Sequence, residues 1–125
     1  MEASAASSID HLGIDYQGMP RGDYSGHLDL LLLSALQGRC LHGYGVIEHV
    51  RRASGGLFDY PEGTVYPALH RLEDEGLVSS HWIEPDGGRR RRVYELTRKG
   101  EKALSGYRTS WHEFVRSMSA VVEEA

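Results

Sequence analysis

The 125-residue chain is long enough for one domain, or one domain plus an appendage, and its modest core would gain from a partner subunit. Hydrophobic residues at 40% and charged residues at 26% describe a soluble globular protein, and the longest apolar run, LLLLSAL, is far too short to cross a bilayer. The single cysteine, Cys40, excludes an internal disulfide framework and fits a reducing cytoplasm, while a net charge of −4 conceals four consecutive arginines, Arg89 to Arg92, that can meet a polyanion locally.

The opening MEASAASSID has neither the basic start nor the apolar stretch of a secretory signal, which predicts a cytoplasmic protein. Residues 1–26 read as an acidic, partly flexible extension. Its apolar residues Ile9, Leu12, Ile14, Tyr16 and Met19 are interrupted by Gly13, Gly18 and Pro20, so they could dock on a core but define no regular element. Near-continuous apolar density from Leu28 to Leu36 predicts a mostly buried first helix ending near Gly38, with Cys40 beside it as a packing thiol. A second helix is predicted from about Tyr44 to Ala53, with Ile47 and Val50 facing inward and Gly55 and Gly56 stopping it. The third starts near Pro61, where a missing N–H costs nothing. Its Val65, Leu69 and Leu72 form an inward stripe, and Gly76 ends it in a left-handed conformation.

Two strands follow. LVSSHWIE and RRRRVYEL carry β-formers around Val78 and Trp82 on one side and Val93, Tyr94 and Leu96 on the other. PDGG supplies the turn between them. Thr97 is a candidate N-cap for a last helix reaching about Glu123. The expected fold is mainly α with a small β-hairpin: a winged helix-turn-helix over residues 27–96, then a C-terminal dimerisation helix over 97–125.

In a helix-turn-helix the second helix of the pair lies in the major groove, and its first residues meet base edges. That gives the uneven chemistry of PEGTVYPALHRLEDEGLV a purpose. Gly63 lets a phosphate approach the positive helix end. Thr64 and Tyr66 offer hydroxyls, Pro67 and the Thr64 methyl offer apolar contact to thymine, and His70 and Arg71 are donors. The plainer alternative makes Tyr66 a core aromatic and His70 and Arg71 a solvated face. Arg89, Arg90 and Arg91, at the tip of the hairpin, are expected to touch the phosphate backbone with steep salt dependence.

Three segments, HGYG at 42–45, GTVYPALHRLEDEGLV at 63–78 and GGRRRRVYELTRKG at 87–100, closely resemble the PadR family of bacterial transcriptional regulators. The match spans roughly residues 28–104 in order and spacing. The resemblance implies a homodimer on a palindromic operator, usually a repressor, with His42, Gly43, Tyr44, Tyr66 and Pro67 at the DNA surface. The extension at residues 1–27 is longer than many members carry.

The last helix spaces Leu104, Tyr107, Trp111, Phe114, Met118 and Val121 at intervals of 3, 4, 3, 4 and 3, a heptad seam. At about 40 Å it would project beyond a compact three-helix domain, so a second subunit is expected to cover it. Tyr107, Trp111, Phe114 and Met118 near a twofold axis could line a slot for a small aromatic or apolar effector. Enzymatic readings find no support: the seven histidines show no metal-ligand spacing, and no glycine-rich loop with Lys-Ser/Thr is present to hold nucleotide phosphates. No metal or cofactor is expected. The alternative function is a winged-helix module for protein contact, its basic wing binding an acidic partner.

Overall fold

The computed structural model of the chain describes residues 21–85 and 87–124, with side chains from His27 onward. Among the described residues seven elements follow one another: helix α1 (Arg21–Ala35), strand β1 (Leu41–His42), helices α2 (Gly43–Ala53) and α3 (Glu62–Asp74), strands β2 (Val78–Ile83) and β3 (Arg91–Leu96), and helix α4 (Arg98–Val122). The docking expected of Ile9, Leu12, Ile14, Tyr16 and Met19 lies outside the described residues.

The sheet is antiparallel in the order β1-β3-β2. The hairpin register pairs Val78 with Leu96 and Trp82 with Arg92, while Leu41 and His42 pair with Tyr94 and Val93. Strand β1 is too short to leave an alternating pattern, and only its partner strand reveals it.

One core unites the elements. Leu32, Leu33 and Leu36 of α1 meet Val46, Ile47 and Val50 of α2 and Val65, Leu69 and Leu72 of α3, with Leu77, Val78, Tyr94 and Leu104 closing the cluster. Each fully buried leucine contributes about 2 kcal/mol. Helix α1 already includes Arg21, the first described residue, rather than starting near Leu28, and so crosses the expected boundary at residue 26; Gly22 and Gly26 weaken its apolar pattern without breaking it.

The predicted caps fall close to their places. Pro61 is the N-cap of α3 rather than its first helical residue. Gly55, Gly56 and Gly76 take positive φ after α2 and α3, the conformation in which a Cβ is penalised. Thr97 caps α4 by accepting the Gly100 N–H at 2.9 Å and donates its own hydroxyl to the Gly76 carbonyl at 2.6 Å, which joins the end of α3 to the start of α4. Such a cap contributes about 1 kcal/mol. Cys40, expected to pack, is exposed instead, in the link between Gly38, which takes a positive φ, and β1.

Candidate nucleic-acid interface

Helix α3 divides cleanly. Val65, Ala68, Leu69 and Leu72 are buried, while Glu62, Gly63, Pro67 and His70 are exposed and Thr64 is half-buried. A Cβ added at Gly63 would meet nothing, so no neighbour inside the protein requires glycine there. Pro67 sits inside the helix without an N–H to offer residue 63.

Tyr66 is half-buried and serves as a spacer between helix ends. Its ring lies so close to Gly43 that an added Cβ would fall 2.2 Å from Cε1. Burial, then the Glu62 charge, push its phenol up, and the Tyr44 backbone amide pulls it back. Gly43 is therefore needed as glycine, and the starts of α2 and α3 are held side by side.

His42 acts as a cap rather than a free donor. Its Nδ1 accepts the Gly45 N–H at 2.8 Å, which leaves Nε2–H as the donor of the ring. Tyr44 projects outward from the next turn. Hydrogen bonding to Glu48 pushes the Tyr44 phenol up, while Arg51 and then Tyr44 hold the Glu48 carboxyl below its ordinary range. Arg51 closes this chain by donating to Glu48 at 2.8 Å.

Arg71 differs from its expected role as a free donor to bases. Its guanidinium grips Asp29 of α1, with Nη2 2.6 Å from Oδ1 and Nη1 3.2 Å from Oδ2, and Glu75 lies 3.4 Å away. The Asp29 hydrogen bond comes first among the causes that raise its pKa. The physical reason is Asp29 itself, a carboxylate only 5% exposed, which must be paired where it stands. A lone aspartate inside HLDLLLLSAL was the available signal; nothing in the spacing tied it to residue 71.

The wing carries its cations unequally. Arg92 donates to Ser80 Oγ at 2.8 Å and to Glu73 at 3.3 Å, and Ser80 donates to Glu73 at 2.7 Å, so the hairpin is fastened to the end of α3. Arg90 pairs loosely with Glu84 at 3.7 Å. Arg89 and Arg91 are exposed and, among the described residues, form no ion pair. Among the described residues Arg89, Arg90 and Arg91 are thus held less firmly than Arg92.

The seam of α4 splits in two. Leu104 is buried in the chain's own core and Tyr107 packs against it, which corrects the expectation that Leu104 belongs to a subunit seam. From Trp111 onward the apolar side chains are exposed: Trp111, Phe114, Val115, Met118, Val121 and Val122. Among the described residues His27 of α1 lies against the first of them, edge-on to Trp111 at 5.7 Å between centroids and tilted toward Phe114 at 6.1 Å. The change comes where α4 outruns the domain, a length no heptad pattern records. Two clefts of the single chain, one bounded by Tyr44, Glu48 and Tyr60 and the other by Leu31, His49 and Phe58, both lie away from the residues expected to hold an effector. Among the described residues no helix is long and apolar enough to cross a membrane.

A helix pair followed by a basic hairpin, with Gly63, Pro67 and His70 exposed on its second helix, defines a winged helix-turn-helix protein. The chain belongs to the PadR-like family of transcriptional regulators, whose model matches residues 32–106, a family of regulators rather than enzymes. It is 46% identical over 56 residues to the transcriptional regulator Rv3488 of Mycobacterium tuberculosis, a match covering 45% of this chain and about half, 51%, of that protein. Among solved structures it resembles a PadR family transcription regulator from Clostridium difficile R20291, with 30% identity, a TM-score of 0.69 and coverage of 77% of this chain and 98% of that one. A PadR-like transcription factor from Bacteroides fragilis matches at 29% identity and TM-score 0.67, over 80% of this chain and 94% of its own. DNA-binding regulation follows from that membership.

Proposed function

We propose that the chain acts in the cytoplasm as a homodimeric repressor on a palindromic operator, released by a small aromatic or apolar effector. Residues 27–96 are its reading domain and 97–125 its dimerisation helix. The observation that carries this reading is the outward face of α3: Gly63, Pro67 and His70 stand exposed beside half-buried Thr64, and a Cβ at Gly63 would meet nothing. Thr64 and His70 read base edges, with Tyr44 and His42 Nε2 beside them. Arg89, Arg90 and Arg91 contact phosphates and confer the salt dependence.

The exposed apolar side chains from Trp111 to Val121 support a second copy at α4. Two such helices place paired reading heads about one duplex turn apart. An effector lodged among Tyr107, Trp111, Phe114 and Met118 of both subunits changes that separation and loosens the grip.

Mobility shifts with the chain's own upstream DNA test the reading. Binding that falls steeply with salt, vanishes on scrambled DNA and loses its sequence preference in Thr64→Ala and His70→Ala supports it. Equal binding to intact and scrambled DNA contradicts it.

A further inference from the structure

The wing holds an aromatic side chain that the reading above leaves without a role. Trp82 on β2 is 52% exposed, yet both neighbouring arginines turn onto it. Arg92 stands directly across the strand pair, and the guanidinium carbons of Arg90 and Arg92 lie 4.6 and 5.7 Å from the centroid of the indole. Within about 6 Å the negative face of an indole attracts a guanidinium. The two arginines differ in what else holds them. Arg92 is tied to Ser80 and Glu73, so it fixes the ring relative to α3. Among the described residues Arg90 has, beyond the indole, the loose Glu84 contact at its Nε edge, between two well exposed side chains.

We propose that Trp82 is a positioning residue for DNA binding: its indole face holds Arg90 at a set place on the wing, registered through Arg92 and Glu73 to the recognition helix. This rests on the DNA-binding function proposed above. A phosphate can replace Glu84 at the edge of the guanidinium while its face stays on the indole. Arg90 then meets the backbone with its rotamers already restricted, which lowers the ordering cost of contact.

A double-mutant cycle tests this in the full chain, with a duplex of unrelated sequence at several salt concentrations. Trp82→Ala should weaken binding about threefold and leave the salt slope unchanged, because the charge of Arg90 remains. Trp82→Phe should keep most of the affinity. Arg90→Ala should flatten the slope, and adding Trp82→Ala to it should cost nothing more. In DNA-free protein the Arg90 side-chain Nε–H signal should sit upfield in the ring current of the indole and move back in Trp82→Ala. Additive losses, or an unshifted Arg90 signal, overturn the positioning role. A wild-type protein that binds no duplex at all overturns the DNA-binding function and this inference together, an outcome distinct from additivity.

Discussion

Arg71 and Asp29 form a two-pronged ion pair between α3 and α1, with contacts of 2.6 and 3.2 Å onto a carboxylate that is almost wholly buried. The pair ties the exposed side of the third helix to the first. Arg71→Ala strands the Asp29 carboxylate and should cost about 2–3 kcal/mol in urea unfolding, less than a fully buried pair because the arginine is partly exposed. Replacing both, as Asp29→Leu with Arg71→Met, should recover much of that loss. Wild-type stability in Arg71→Ala, with operator specificity gone, would return the arginine to the DNA.

Three glycines should respond differently to alanine. At Gly100 the new Cβ would lie 1.9 Å from the Leu77 carbonyl oxygen, backbone that cannot swing aside, and a loss of about 2–3 kcal/mol is expected. At Gly43 it would strike the Tyr66 ring, so α2 and α3 must part and DNA affinity should fall with a smaller loss of stability. At Gly63 there is room, so folding should be unaffected and any fall in affinity reports contact with DNA. Thermal melts beside mobility shifts separate the three.

The two halves of the α4 seam should part company. Leu104→Ala removes a core side chain and should cost about 2–4 kcal/mol of folding stability. Trp111→Ala should leave the fold intact and weaken self-association. Sedimentation at low micromolar concentration decides; an unaltered distribution would refute a subunit contact at Trp111.

What the sequence discloses follows from how far each signal reaches along the chain. Apolar stripes and caps are local, so the second and third helices, the hairpin and the Thr97 cap were legible within a residue or two. Contacts between residues 29 and 71, or among 73, 80 and 92, join elements that only folding brings together, and no local pattern announces them. Strand β1 exists only through its pairing with β3. The heptad spacing gave no sign that Leu104 lies in the chain's own core while Trp111 to Val121 are exposed, because periodicity shows a face of a helix and not what covers it.

His49 gives a pH dependence. Burial first, then the charges of Arg39 and Arg52, hold its imidazole below the ordinary value, and the Arg39 guanidinium lies against its ring with Nη1 2.8 Å from Nε2. The folded state therefore resists a proton that the unfolded chain accepts. Stability should fall as pH drops from about 6.5 through the depressed value and level off below it. His49→Gln should flatten this part of the profile in urea titrations between about pH 7 and 5. An unchanged slope would place the titration elsewhere.

Sequencing the genomic fragments captured by the purified full-length protein probes the paired reading heads most directly. The expected result is an enriched inverted repeat whose half-sites lie about 10 base pairs apart, centre to centre. A motif without twofold symmetry, or capture that follows salt but no sequence, would contradict it.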